Sequence, residues 1–152
     1  MADPELTPEG NLRLASLPAP GLPCDSGALD RELSELVAGQ GGCETAGPLV
    51  ILLDLPPSDE PASWRCQVGR AVIGSLRPQG SLLVEDYRSL QALSLPHTGS
   101  WHELAATHGQ LAAHAQAMGW RLRPYWRLAL PRERSADGHL VPGCTVSVFL
   151  DR

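Results

Sequence analysis

The uninterrupted apolar run Leu49-Val-Ile-Leu-Leu53 decides the fold that the sequence predicts. Asp54-Leu-Pro-Pro57 follows the run and ends it. Because successive side chains of a strand point to opposite faces, a strand that is apolar at every position needs cover on both faces. Strands of a parallel sheet, which have helices on both sides, are typical of this pattern. The run therefore predicts an inner strand of a mostly parallel sheet.

The segments around this run predict helices that alternate with strands. Before the run, Asn11–Leu17 alternates as a short strand does, and Asp25 or Ser26 can cap a helix that follows. After the run, the apolar spacing over 64–76 predicts a second helix, and 81–84 predicts a second apolar strand. This order implies crossover connections between parallel strands, as in α/β proteins.

The C-terminal third predicts one long helix followed by two strands. Ser100-Trp-His-Glu103 has the spacing of a capping box, and Gly119 can end the helix that this box begins. Trp120–Leu130 and Cys144–Leu150 alternate apolar with polar residues, and we expect them to form a β-hairpin.

Together these segments predict the α/β class, with a three-layer, Rossmann-like fold whose mostly parallel sheet ends in an antiparallel β-hairpin. Residues 1–10 contain two prolines and three acidic residues without periodicity, which predicts a flexible leader. Residues 11–152 predict a single domain, and the sequence shows no internal repeat.

The composition restricts the location of the protein. Apolar residues make up 43% of the 152 residues, which indicates a folded chain. No apolar run approaches the roughly 20 residues that a membrane-spanning helix requires, so we expect no membrane partner. The N-terminus is acidic where a secretion signal would be basic. We therefore expect a cytoplasmic protein, with the nucleus as an alternative.

The composition also restricts the chemistry. All 12 basic residues are arginines, which excludes Schiff-base lysines and the lysine of phosphate-binding loops. The cysteines and histidines lack the spacing of metal ligands, so we expect no metal. His108 lies in the apolar stripe of the long helix, which favours a hydrogen-bonded core histidine over a ligand or a base.

Three segments resemble the second half of class I S-adenosylmethionine-dependent methyltransferases: Leu49–Pro57, Leu76-Arg-Pro-Gln-Gly-Ser-Leu-Leu-Val-Glu-Asp86 and Met118-Gly119-Trp120. In that family a strand that ends in an acid precedes a helix, and a Leu-x-Pro-x-Gly turn introduces the next strand. The resemblance covers roughly residues 49–150. The glycine-rich cofactor loop of the family has no counterpart, because the glycines at 39–42 follow a helix. The resemblance therefore implies a methyltransferase-like domain without the usual cofactor half.

Acidic residues follow both central strands of the predicted sheet. Asp54 ends the first strand, and Glu85 and Asp86 follow the second. Ligands of open α/β sheets gather at this edge, where a carboxylate could hold and orient an amine. Asp54-Leu-Pro-Pro57 also resembles the segment with which amino-group methyltransferases hold a target nitrogen. Asp54 and Glu85 are therefore the candidate catalytic residues of an enzyme, whereas the alternative is that these acids are solvated and only end their strands.

Arginine and aromatic residues are interleaved on the first strand of the predicted hairpin. Arg121, Arg123, Tyr125 and Arg127 lie on one side of it, opposite the tryptophans. Guanidinium groups on an exposed face could bind an acidic protein or nucleic acid phosphates, or they could simply be solvated. The net charge of −5 argues against general nucleic acid binding.

These observations lead to two functional hypotheses. The first is a non-catalytic, methyltransferase-like protein without a cofactor, which acts as a binding or accessory subunit of a protein complex through Arg121, Arg123, Tyr125 and Arg127. The alternative is a small methyltransferase that uses S-adenosylmethionine and Asp54 to modify a nitrogen or oxygen of a nucleic acid, a protein or a small molecule.

Overall fold

The computed structural model describes residues 3–19, 25–54, 64–97, 103–130 and 144–151. Six strands and two helices follow one another in this part of the chain. Their order is β1 (Glu5–Ala19), α1 (Ser26–Gln40), β2 (Cys43–Asp54), β3 (Cys66–Gly74), β4 (Leu83–His97), α2 (Leu104–Ala117), β5 (Leu122–Ala129) and β6 (Cys144–Leu150).

The six strands form a closed barrel in the order β1-β3-β2-β5-β6-β4. Every pair of neighbours among these described strands is antiparallel. The predicted mostly parallel, three-layer Rossmann-like fold is therefore wrong, whereas the predicted pairing of the last two strands is confirmed.

The apolar run at 49–53 does have two covered faces, but helices cover only one of them. Leu49, Ile51 and Leu53 belong to the core that also contains residues of α2. Val50 and Leu52, which point the other way, line a cavity. A continuous apolar strand needs two apolar environments, and here the second environment is the cavity rather than a second layer of helices.

The helix predicted over 64–76 is wrong, because this segment contains β3. Trp64, Val68 and Val72 recur every fourth residue, and a spacing of four places side chains on one face of a strand as well as of a helix. Long-range pairing with β1 and β2 selects the strand. Gly69 permits the close approach to β1, since a Cβ atom at this position would lie 2.6 Å from the carbonyl oxygen of Ala15.

The start of α1 and the end of α2 agree with the sequence, whereas the start of α2 differs, because its N-cap is Glu103, which forms no side-chain capping hydrogen bond. The Asp25 carboxylate accepts a hydrogen bond of 3.0 Å from the backbone N–H of Ala28 at the start of α1. Gly119 has a φ of 74° directly after α2, as expected for a glycine that ends a helix. Ser100 of the predicted capping box lies outside the described residues. No helix in the described part of the chain is long and apolar enough to cross a membrane.

The N-terminal strand is longer than predicted. β1 begins at Glu5, so it overlaps the segment 1–10 that the sequence assigned to a flexible leader. Among the described strands, β4 alone pairs with its first half, and register shifts between Pro8 and Gly10 and between Gly10 and Leu12 interrupt that pairing.

The two halves of the chain have the same architecture. β1-α1-β2-β3 and β4-α2-β5-β6 repeat one order of elements, and the sheet order β1-β3-β2 has its counterpart in β4-β6-β5. The halves join where β1 pairs with β4 and β2 pairs with β5. The structure therefore contains an internal repeat that the sequence analysis did not find, because a repeat of strand pairing does not require a repeat of residues.

The helices cover one face of the barrel strands, and we call the packed region between them the helix-side core. Trp126 lies at its centre, fully buried and in an edge-to-face contact with Trp64 at 5.7 Å between ring centroids. Leu104 and Leu111 of α2 belong to the same cluster. Leu33 of α1 is buried in a neighbouring cluster. Burial of these apolar side chains stabilises the packing of both helices on the barrel.

Candidate functional site

A cavity of about 360 Å³ lies on the face of the strands opposite the helix-side core. We call it the central cavity, because each of the six strands contributes at least one lining residue. Most of these side chains are apolar, and they include Leu12, Leu14, Val50, Leu52, Leu90 and Phe149.

The alternation of β5 explains which side chains reach the central cavity. Trp126 and Leu128 are fully buried in the helix-side core, whereas Tyr125, Arg127 and Ala129 line the cavity. Adjacent residues of one strand therefore belong to two different environments. The same alternation on β2 directs Val50 and Leu52 into the cavity.

Three aromatic rings form one wall of the central cavity. The ring of Tyr125 lies 5.3 Å from that of Tyr87 and 5.4 Å from that of Phe149, measured between centroids. The Tyr87 hydroxyl donates a hydrogen bond of 3.0 Å to Glu85. Burial raises the pKa of Tyr87 far above its ordinary value, and the Glu85 carboxylate raises it further.

An ion pair crosses the central cavity from β1 to β5. The Arg127 guanidinium donates two hydrogen bonds, of 2.7 and 2.6 Å, to the two carboxylate oxygens of Glu9. The side chains are 15% and 24% exposed, respectively, so water screens this pair only in part. The guanidinium carbon also lies 5.1 Å from the centroid of the Phe149 ring, within the range of a cation–π contact.

A second cleft, of about 420 Å³, adjoins the central cavity. Leu52, Tyr87 and Tyr125 line both spaces, so the tyrosine pair separates them. Asp54 and Glu85 both line the second cleft, as does Arg65. The structure thus brings the two predicted acidic residues to one site, although in an antiparallel barrel rather than at the edge of a parallel sheet.

The catalytic role of Asp54 and Glu85 stays a prediction. Both residues are exposed to solvent, as the alternative interpretation of solvated acids also expects. Asp86 lies outside both spaces and forms an exposed ion pair with Arg13 at 2.7 Å. The hydrogen bond and the charge of Arg13 hold the pKa of Asp86 below its ordinary value.

The predicted partner-binding residues separate into two groups. Tyr125 and Arg127 line the central cavity, whereas Arg121 is exposed outside it. Arg123 donates hydrogen bonds to the Tyr125 hydroxyl at 3.0 Å and to the carbonyl oxygen of Arg88 at 3.1 Å, so it supports the tyrosine wall. Binding of a protein partner by these residues stays a prediction.

Sequence reasoning missed several residues of the central cavity. Glu9 belonged to the predicted leader, and Tyr87, Leu90 and Phe149 carried no assigned role. The run at 49–53 contained a usable signal, because a second covered face on one strand implies a second apolar environment. In the described part of the chain, no group of three or more His, Cys, Asp or Glu residues could hold a metal ion.

His108 is a core residue, as predicted, but its hydrogen bonding differs. Its ring lies 4.9 Å from that of Trp126, and the residue is 7% exposed. The buried Nε2 atom has no hydrogen-bond partner among the described residues. Burial lowers the pKa of His108, because charge is disfavoured in an apolar environment.

Comparison with known proteins identifies the fold. No protein-family model matches the sequence, and no curated protein matches it. Among solved structures, the chain is similar to the EcmrR C-terminal domain, with a TM-score of 0.74, 13% identity and coverage of 98% of this chain and 97% of that one. It also matches EcmrR in a complex with DNA, with a TM-score of 0.73 and 13% identity. The match covers 98% of this chain but spans only 57% of the EcmrR chain.

Two further structures extend this comparison. A hydrolase encoded by lin2189 from Listeria innocua has a TM-score of 0.63 and 12% identity, with coverage of 98% of this chain and 92% of the hydrolase. SAV2435 bound to tetraphenylphosphonium has a TM-score of 0.52 and 12% identity, with coverage of 99% and 94%.

The fold and the cavity define this chain as an antiparallel β-barrel domain of the kind seen in the EcmrR C-terminal domain. The resemblance to class I methyltransferases is therefore wrong, and so is the description of the domain as methyltransferase-like. The motifs that suggested it are short turns and strand ends, which unrelated folds share.

Proposed function

We propose that this chain is a small-molecule-binding domain that takes apolar, aromatic molecules into the central cavity. The observation that carries this proposal is an apolar cavity of about 360 Å³ to which all six strands contribute. Small-molecule sites are typically concave, mostly apolar and about 300–1,000 Å³ in volume, with a few polar groups that fix orientation. The Glu9–Arg127 ion pair and the Tyr87 hydroxyl supply such polar groups.

The free energy for binding comes from the apolar lining. Side chains of the central cavity that face solvent gain roughly 25 cal/mol for each Å² of apolar surface that a ligand removes from water. Tyr87, Tyr125 and Phe149 also offer faces and edges for stacking with an aromatic ligand.

The neighbours support the same function. The structure of SAV2435 contains bound tetraphenylphosphonium, an aromatic small molecule, and its fold is similar to that of this chain. EcmrR is found in a complex with DNA, and the match spans 57% of its chain. We therefore propose that this domain binds a small molecule and that a protein partner responds to whether the central cavity is occupied. Exposed Arg121 is the remaining surface residue of the predicted partner-binding set.

Fluorescence titration with N-phenyl-naphthylamine, an uncharged aromatic probe, tests the proposal. We expect saturable binding by the wild-type protein, with one probe per chain. In the Ala129→Trp variant a large side chain occupies the central cavity, and we expect affinity at least about tenfold weaker. The matched control is Ala113→Trp, on the exposed face of α2, which should bind as the wild type does.

A second variant allows for misfolding of Ala129→Trp. Tyr125→Ala removes the central ring of the aromatic wall, and circular dichroism shows whether each variant is folded. Unchanged affinity in both folded variants would place the probe elsewhere and refute the proposed site, as would the absence of saturable binding by the wild type.

A further inference from the structure

We infer that the ligand of the central cavity is an aromatic carboxylate whose carboxylate group replaces that of Glu9 on the Arg127 guanidinium. This inference rests on the proposed function and adds the charge of the ligand. In the protein without ligand, the Glu9 carboxylate then occupies the position on Arg127 that the carboxylate of the ligand takes.

Arg127 is the fixed member of the ion pair. It lies on β5, which is paired with β2 on one side and β6 on the other. Its guanidinium is held over the Phe149 ring at 5.1 Å and lies 3.4 Å from the Ser147 hydroxyl oxygen. Its Nε atom is buried and has no hydrogen-bond partner among the described residues, so a donor remains unused at this site. A planar guanidinium fixed in this way suits a carboxylate, which can accept two parallel hydrogen bonds.

Glu9 is the member that can leave. It lies at the register shift between Pro8 and Gly10, in the half of β1 for which β4 is the one pairing strand among those described. Among the described residues, the Glu9 carboxylate accepts hydrogen bonds from Arg127 alone. Since Glu9 is 24% exposed, its carboxylate can turn to water when another anion takes its place.

The difference between a fixed Arg127 and a releasable Glu9 also disfavours a cationic ligand. A cation that takes over the bidentate contact of Glu9 must displace Arg127, whose side chain is 15% exposed and packed on Phe149. The guanidinium would then lose its counter-ion in a partly buried site, which costs more than releasing the less buried carboxylate of Glu9. The tetraphenylphosphonium in the SAV2435 structure is a cation, so this chain is expected to differ from that protein in the charge of its ligand.

The aromatic body of the ligand has a defined place. Beyond the guanidinium, the cavity wall consists of Tyr125 and Tyr87, with Leu90 and Leu52 beside them. A carboxylate on Arg127 therefore directs a ring toward the tyrosine pair.

Three probes of similar shape and different charge test this inference: naphthylacetate, naphthylethanol and naphthylethylammonium. Titration calorimetry at pH 7.5 measures the affinity of each for the wild-type protein. Naphthylacetate can take over the bidentate contact with Arg127 and release Glu9 to water, whereas naphthylethanol leaves the ion pair in place, so we expect naphthylacetate to bind about tenfold more tightly. We expect naphthylethylammonium to bind most weakly.

Two variants change the carboxylate affinity in opposite directions. Glu9→Gln removes the internal competitor, so we expect naphthylacetate to bind at least about threefold more tightly than in the wild type. Arg127→Gln removes the receptor, and we expect the preference for naphthylacetate over naphthylethanol to disappear while naphthylethanol still binds. Glu5→Gln on the same strand and Arg121→Gln next to β5 are matched controls, because both residues are exposed and line neither space.

The possible failures are distinguishable. If naphthylethanol binds but naphthylacetate binds no better, the carboxylate inference is wrong and the proposed function stands. If naphthylethylammonium binds best and Glu9→Gln weakens it, the site is a cation site and the inference is overturned. If neither N-phenyl-naphthylamine nor any naphthyl probe binds the wild type, the proposed function fails, and the inference fails with it. Should Arg127→Gln not fold, the effect of Glu9→Gln alone still decides.

Discussion

The two faces of the barrel strands differ in what they contribute. On β5, Trp126 is fully buried and contacts the rings of Trp64 and His108. The next residue, Arg127, lines an open cavity and forms an ion pair with Glu9. On β2, Leu53 is 1% exposed in the helix-side core, whereas Leu52 lines the central cavity. The difference between adjacent residues shows that one face of the sheet packs against the helices. The other face buries Leu90 and Phe149 but leaves part of its apolar surface open to the central cavity.

The largest expected effect is on the helix-side face at Trp126. Its indole contacts two aromatic rings and lies 3.4 Å from the carbonyl oxygen of Asp54. We expect Trp126→Ala to lower the free energy of unfolding by about 3–5 kcal/mol, because it leaves a large cavity in a packed core. Urea unfolding followed by circular dichroism measures this value. Tyr125→Ala on the opposite face is the control, and an equal loss there would remove the distinction between the faces.

A matched pair of leucines sharpens the comparison. We expect Leu53→Ala to lower the free energy of unfolding by about 2–5 kcal/mol, since the surrounding core cannot collapse fully around the missing atoms. Leu52→Ala should lower it by less, because its side chain already borders an open space. The same unfolding experiment on both variants measures the difference. A larger loss for Leu52→Ala would show that the cavity face carries the stability.

The smallest of these effects concerns pH and His108. Burial lowers the pKa of His108 from its ordinary value of 6.5, so the unfolded chain binds a proton more readily than the native one. The contribution of His108 to stability is therefore complete above pH 6.5 and is lost as the pH falls below this value. The unfolding free energy of the wild type should decline between pH 7 and pH 5, and we expect His108→Leu to reduce this decline. The reduction, in kcal/mol, should be smaller than the loss of unfolding free energy in Leu53→Ala. Identical slopes for variant and wild type would contradict the assignment.

Part of the fold follows from local patterns in the chain. Asp25 caps α1, Gly119 ends α2, and the alternation around Trp126 produces a strand, because each feature depends on residues only a few positions apart. The segment 64–76 shows where such reasoning fails. A spacing of four suits a strand and a helix equally, so its state depends on pairing with strands that are distant in sequence.

The sequence likewise predicts some residues of the candidate site and misses others. The sequence predicts Tyr125 and Arg127 as binding residues, and both line the central cavity. It also predicts Asp54 and Glu85 as one site, and both line the second cleft. Glu9 was missed, because nothing in an acidic, proline-containing segment indicates that its carboxylate meets an arginine 118 residues later.

The order of residues along the chain is sufficient to define which side chains alternate, where helices begin and end, and that the run at 49–53 requires two apolar environments. It does not define whether the strands pair in parallel or antiparallel, nor whether the second environment is a helix layer or a cavity. Those outcomes depend on contacts between segments far apart in sequence, such as the pairing of β1 with β4 and of β2 with β5. The free energy of such contacts depends on closure of the whole barrel, which no local pattern encodes.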